Sequence, residues 1–182
     1  MSHIKQAPTA VVMVRPHHFT SNPQTMLDNT FQSTCNSQNQ SQLAFDEVTN
    51  AVKLLQNEGV TVHLFEDEHT HTPDSVFPNN WFSTSQDGTL TIYPMFAENR
   101  RQERRIDDLT TLLKREGYQV GPVEQLADMD EKLEILEGTG ALVIDHKNSV
   151  LYASQSERCH EAQFKRFAEK KGYQASYLFD TA

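Results

Sequence analysis

The sequence predicts an α/β protein assembled from repeated strand–strand–helix–strand units, and three observations lead to that reading. One phrase occurs three times: Leu54-Leu55-Gln56-Asn57-Glu58-Gly59-Val60-Thr61-Val62, Leu112-Leu113-Lys114-Arg115-Glu116-Gly117-Tyr118-Gln119-Val120 and Phe167-Ala168-Glu169-Lys170-Lys171-Gly172-Tyr173-Gln174-Ala175. Its glycines are spaced 58 and 55 residues apart. A period above about 50 residues marks a repeated supersecondary unit and not a short solenoid repeat. Ahead of each glycine, apolar residues recur at intervals of three and four. Two short apolar pairs flank turn residues and read as hairpins.

The elements follow in order. Residues 10–14 are an apolar run ended by Arg15-Pro16 and read as the first strand. Residues 20–42 are rich in Asn, Gln, Ser and Thr, and read as a long loop able to lie over a site. The first helix spans about 43–58, with Phe45, Val48, Val52 and Leu55 on one face. Residues 81–85 and 89–93 flank Gln86-Asp87-Gly88, an Asp-Gly hairpin signal. The second helix spans about 100–116, with Ile106, Leu109, Leu112 and Leu113 in its stripe. Residues 141–145 and 149–153 flank His146-Lys147-Asn148 as a second hairpin, and the third helix spans about 157–171. Gly59, Gly117 and Gly172 then each stop a helix, because the residue past a helix end often takes a left-handed conformation that costs glycine nothing.

Composition bounds the function. The chain has 182 residues, the size of one ordinary domain, with 37% apolar and 23% charged residues. A net charge of −9 argues against electrostatic binding to nucleic acid or to anionic membranes. No apolar run approaches the roughly 20 residues of a membrane span. Met1-Ser2-His3-Ile4-Lys5-Gln6 lacks a signal-peptide core. Cys35 and Cys159 form neither a disulfide framework nor a metal pattern, so a reducing cytoplasm is the expected compartment and no cofactor is expected.

Four polar segments fall at element edges: Pro73-Asp74-Ser75-Val76-Phe77-Pro78-Asn79-Asn80-Trp81, Asn99-Arg100-Arg101-Gln102-Glu103-Arg104, Leu136-Glu137-Gly138-Thr139-Gly140 and Ser154-Gln155-Ser156-Glu157-Arg158. In a repeat protein, equivalent edges of successive units gather on one face. Asp74, Asn80, Arg100, Glu137 and Arg158 are therefore expected to form one polar site. An arginine can make two parallel hydrogen bonds to a carboxylate, which suits Arg100 and Arg158 to an amino-acid ligand.

The order and wording of these segments, over about 10–178, resemble the pentein superfamily. Pro-Asp-Ser-Val-Phe, Arg-Arg-Gln-Glu and Ser-Glu-Arg are similar to the dimethylarginine dimethylaminohydrolases, relatives of the arginine deiminases. Phe-Pro-Asn-Asn-Trp, Asn-Arg-Arg and Leu-Glu-Gly-Thr-Gly look closer to the amidinotransferase-like branch that hydrolyses citrulline. The resemblance implies a pentein-type α/β propeller of five ββαβ units around a central channel. Residues 1–182 would form a partial catalytic domain holding three of the five, at approximately 10–66, 74–123 and 133–179. It also implies that the catalytic histidine and nucleophilic cysteine lie beyond residue 182, so the chain alone is expected to be inactive. Glu137 matches the carboxylate that orients the histidine. Arg158, and less firmly Arg100, match groups on the substrate carboxylate. Asp74 and Phe77 match pocket residues.

Asn80 departs from the arginine-type pattern, which has an aspartate there. A buried carboxylate beside a neutral ureido group would have no countercharge, whereas an amide can donate and accept. Citrulline, giving ornithine, is therefore the favoured substrate. An amidinotransferase shares the thiol chemistry as far as the covalent intermediate. A non-catalytic remnant or binding half, as a homo-oligomer or with a complementing C-terminal chain, is the third reading. Plain structural roles account for other features. Glu103 and Asp107-Asp108 can neutralise the Arg100–Arg105 run at helical spacing. Glu66-Asp67-Glu68-His69-Thr70-His71 and His63 fit an exposed loop better than a metal site, since nothing fixes a geometry. Glu137-Gly138-Thr139-Gly140 lacks the Lys-Ser/Thr of a phosphate loop. Cys159 reads as a packing thiol and Trp81 as core.

Overall fold

The computed structural model describes residues 6–26, 38–126 and 134–180. Cys35 and much of the polar stretch after residue 20 lie outside the described residues. The chain forms two compact units, Ala7–Pro78 with Ala97–Glu103, and Met1–Gln6 with Asn79–Phe96 and Arg104–Ala182.

The first unit is built from strand β1 (Ala10–Pro16), helix α1 (Gln38–Asn57) and strand β2 (Thr61–Asp67). β1 and β2 pair in parallel, from Ala10 opposite Thr61 to Pro16 opposite Asp67. α1 packs on both strands and buries Val52, while Val14 is buried from β1. The helix begins at Gln38, five residues before the apolar pattern starts at Leu43. Glutamine is a good helix former, and a first turn without apolar residues leaves no periodic signal. The strand also runs through Arg15-Pro16. Proline's missing N–H is tolerated at the end of a strand.

The second unit holds two sheets of the same plan. In the first, β3 (Phe82–Thr84) and β4 (Leu90–Ile92) are the antiparallel hairpin, and helix α2 (Ile106–Arg115) leads to β5 (Val123–Gln125), parallel to β4. After the short helix α3 (Gly138–Ala141), β6 (Leu142–Asp145) and β7 (Val150–Ser154) form the second hairpin. Helix α4 (Glu161–Lys171) leads to β8 (Ala175–Phe179), parallel to β7. Gly59, Gly117 and Gly172 sit at φ of +82°, +81° and +68°. A methyl group at any of the three would meet nothing within 4 Å, so backbone conformation and not space calls for glycine there.

Strand alternation sets the core of this unit. Leu142, Leu151 and Ala153 turn inward against Phe164, Phe167 and Ala168 of α4. Val143, Tyr152 and Tyr177 share one row on the opposite face, where the two tyrosine rings stack 5.5 Å apart. Trp81 is buried, as expected for a core residue.

Two helices start later than their sequence pattern indicated. Residues 98–103 form a 3₁₀ turn ahead of α2, which begins only at Ile106. In a 3₁₀ turn the side chains at i and i+3 eclipse, which brings Glu103 onto Arg100. The α4 helix starts at Glu161 and not near 157. Ser156 and Cys159 instead exchange backbone hydrogen bonds at 3.0 and 3.2 Å across a tight loop that includes Arg158.

Candidate active site

Within the second unit, Glu137 is the centre of a polar cluster. Leu136 bridges to Cys159, and the Glu137 N–H donates to the Arg158 carbonyl at 3.0 Å. These backbone contacts set the Ser156–Cys159 loop beside Leu136-Glu137. The Glu137 side chain is 1% exposed. A buried carboxylate is costly unless donors reach it. Here the Phe96 N–H donates to Oε1 at 3.2 Å and the Asn80 Nδ2 to Oε2 at 3.3 Å. Arg158 Nη1 lies 3.9 Å from Oε2, in loose ionic contact.

The two glycines after Glu137 are there for space. A methyl group on Gly138 would come 2.5 Å from the Asn79 carbonyl, and one on Gly140 would come 2.4 Å from Asn80 Nδ2. Asn79 Nδ2 also donates to Thr139 Oγ1 at 3.1 Å. Glu-Gly-Thr-Gly and Asn-Asn thus fold onto each other: the carboxylate takes the amide of Asn80, and the glycines let the two backbones approach.

Cys159 adjoins this cluster through its bridge to Leu136. It is fully buried among Tyr93, Leu136 and Phe164, and loss of solvent pushes its thiol up to about 11. A thiol so placed is a packing group and not a nucleophile.

The first unit holds the other expected residues. Asp74 Oδ2 accepts from Asn22 Nδ2 at 2.7 Å and from Thr25 Oγ1 at 3.2 Å. Arg100 Nε stands 3.8 Å from the same oxygen. Phe77 is 48% exposed, and its carbonyl accepts from Arg100 Nη2 at 3.3 Å. Arg100 itself is 1% exposed. Its Nε and Nη2 donate to Glu103 at 3.0 to 3.3 Å, and Nη2 also reaches the Asp74 carbonyl at 3.3 Å. The guanidinium expected on a ligand carboxylate is thus engaged by an internal one.

Asn80, Glu137 and Arg158 therefore meet in one unit, and Asp74, Phe77 and Arg100 in the other. Sequence reasoning missed Asn22, Asn99 and the inward turn of Glu103. Asn22 is one of many amides between residues 20 and 42, and nothing in the sequence singles it out. Glu103 at i+3 from Arg100 was legible as a partner, though not as a buried one. Of the histidine-rich segment, Glu66 pairs with Arg15 and His17. Asp67 is buried and accepts from Thr72 Oγ1 at 2.7 Å and from the His69 N–H at 3.1 Å.

Solved structures share this fold. A dimethylarginine dimethylaminohydrolase variant, captured as an adduct with S-methyl-L-thiocitrulline, superposes with a TM-score of 0.64 at 18% identity over 95% of this chain and 62% of its own. The enzyme of the same name from Pseudomonas aeruginosa, complexed with citrulline, gives 0.64 at 17% identity, with 95% and 62% covered. The N-terminal domain of ArgZ, an arginine dihydrolase of cyanobacteria bound to its substrate, gives 0.62 at 20% identity, with 94% and 58% covered. The chain thus spans about three-fifths of the length of these structures. No curated protein matches it by sequence. Residues 15–179 match the family described as N,N dimethylarginine dimethylhydrolase, eukaryotic, and the chain belongs to that family.

Proposed function

We propose that this chain supplies the substrate-binding and carboxylate part of a C–N hydrolase acting on a linear ureido or guanidino amino acid. Citrulline is the favoured substrate and ornithine the product. The observation that carries this reading is the buried Glu137 carboxylate, met by the Asn80 amide at 3.3 Å and by Arg158 at 3.9 Å. Such a carboxylate is suited to orienting an imidazole. Arg158, with its side chain 24% exposed, is the cation assigned to a ligand carboxylate. Asn80 puts a neutral amide where a carboxylate would favour a guanidinium cation, which supports the ureido preference. By the family resemblance, Asp74 and Phe77 are proposed as ligand contacts, with the Arg100 guanidinium 3.8 Å from the Asp74 carboxylate.

The nucleophile and the proton shuttle are assigned to residues outside these 182. Cys159 is read as a packing thiol, because it is fully buried and burial pushes its thiol up to about 11. That same observation favours one alternative, a binding half that works with a second chain. Isothermal titration of the 182-residue chain with citrulline and arginine, paired with an ornithine-release assay, tests the reading. Binding of citrulline above arginine without turnover is expected. Ornithine release that survives Cys159→Ala would overturn the assignment of the catalytic groups.

A further inference from the structure

Asn22 is fully buried, and its amide is saturated. Nδ2 donates to Asp74 Oδ2 at 2.7 Å and to Asn99 Oδ1 at 3.3 Å. Oδ1 accepts from the Gln24 N–H at 3.0 Å and from Asn99 Nδ2 at 2.9 Å. These partners leave the amide one orientation. A backbone N–H only donates, so Oδ1 must face Gln24. An ionised carboxylate only accepts, so Nδ2 must face Asp74. Asn99 then reads both ends of the amide in a reciprocal pair, and its own N–H is anchored on Gln24 Oε1 at 3.0 Å.

Among the described residues, the donors to the Asp74 carboxylate converge on a single oxygen. Asn22, Thr25 and the more distant Arg100 all meet Oδ2, and among the described residues none reaches Oδ1. The Asp74 side chain keeps 14% of its surface exposed. Among the described residues, one oxygen is tied into the protein and the other accepts no hydrogen bond.

We propose that Asn22 is a positioning residue, fixing Asp74 through Oδ2 in the rotamer that leaves Oδ1 to accept an N–H of the ligand. The ligand part of this inference rests on the assignment of Asp74 under the proposed function, and the positioning part does not. Asparagine is the residue that fits. Aspartate at 22 would set two carboxylates against each other, and alanine would leave Oδ2 on Thr25 and a long contact to Arg100.

The test has two arms on the 182-residue chain. Scalar couplings between backbone and Cγ nuclei report the Asp74 χ1 rotamer by NMR without any ligand. A single rotamer is expected in the parent chain and averaging in Asn22→Ala. Asn99→Ala, which unclamps Asn22 but leaves it in place, should give partial averaging and covers the case where Asn22→Ala does not fold. A single Asp74 rotamer persisting in the folded variants would overturn the proposal. In the second arm, citrulline binding should weaken about tenfold in Asn22→Ala, the size of one charge-assisted hydrogen bond. It should weaken no further when Asn22→Ala is added to Asp74→Ala. An equal loss in both backgrounds would make Asn22 a general structural residue and overturn the proposal. Citrulline binding untouched by Asp74→Ala would sink the ligand role of Asp74 alone, with the couplings still deciding whether Asn22 orients it.

Discussion

Each unit buries a carboxylate beside an arginine, and the two pairs are built differently. In the first, Arg100 and Glu103 have side chains 2% and 1% exposed and bond at 3.0 Å. In the second, Glu137 is equally buried, but Arg158 is 24% exposed and stands 3.9 Å away. Glu137 is held by the neutral donors of Asn80 and Phe96, so its solvation does not depend on Arg158 alone. Arg100 also donates to the Asp74 and Phe77 carbonyls, but its close ionic contact is with Glu103, and the Asp74 carboxylate stands farther off at 3.8 Å. A closed pair of this kind is architecture. The looser, more exposed pair holds the cation that the proposed function assigns to a ligand carboxylate.

The sharpest way to break this contrast is Glu103→Ala. It strands a buried guanidinium, a change that typically costs about 3 kcal/mol or more. Chemical denaturation should show a loss of that size. A loss under about 1 kcal/mol would mean that the pair is not closed and that Arg100 can turn to a ligand.

The next effect concerns the thiol next to Arg158 in the chain. The Cys159 thiol ionises at its ordinary value of 9.0 when solvated, but burial pushes it up to about 11 in the fold. The folded state holds the proton more tightly, so stability is full below pH 9 and falls as pH rises toward 11. Two pH units correspond to at most about 2.7 kcal/mol. Denaturation midpoints across that window should fall in the parent chain and stay flatter in Cys159→Ala, after the common alkaline loss is subtracted. Equal slopes would place Cys159 in contact with water.

Arg158→Ala is smaller in stability and specific in function. Glu137 keeps its two neutral donors, so the fold should lose less than about 1 kcal/mol, as for partly exposed ion pairs. Citrulline affinity should fall about tenfold, the worth of one charge-assisted contact. Unchanged affinity would remove Arg158 from the ligand site.

Much of the fold was legible because its signals are local. A glycine past an amphipathic stripe, and Asp-Gly between short apolar runs, depend on a few neighbouring residues and met the expected conformations. The edges were less legible. The first turn of α1 has no apolar residue, and the helix assumed to open at 157 is preceded by a loop held by Ser156, Cys159 and Leu136, the last more than 20 residues away in sequence. The candidate site divides in the same manner. Glu137, Asn80 and Asp74 stood out by residue type and wording. Asn22 and the inward Glu103 did not, because burial of a polar side chain is a property of tertiary packing. One amide among many carries no mark of the carboxylate it will meet.

The smallest expected effect comes from a third arginine–carboxylate pair, which extends the comparison to the surface. Arg15 Nε bonds Glu66 at 3.0 Å, Nη2 bonds the other carboxylate oxygen, and His17 Nε2 lies 2.8 Å from Glu66. The side chains of Arg15 and Glu66 are 22% and 38% exposed. The hydrogen bond from Arg15 holds the Glu66 carboxyl below its usual value; desolvation, next in size, opposes it, and a smaller contribution from His17 adds to the lowering. A carboxylate depressed in the fold stabilises above its unfolded pKa, about 4.3 for glutamate, and loses that contribution as pH falls through the folded value. The pair should therefore contribute at neutral pH and fade in the acid range. Its geometry is bidentate, but solvent and salt screen it, so Glu66→Gln should cost only about 0.5 kcal/mol at pH 7. In 1 M salt the difference between parent and variant should shrink toward zero, whereas the loss from Glu103→Ala should persist. Such a split would show that burial, and not the identity of the partners, separates the closed pair from the exposed one. A cost for Glu66→Gln that matched Glu103→Ala and resisted salt would mean that the two-stranded unit depends on its surface pair as heavily as on its buried one.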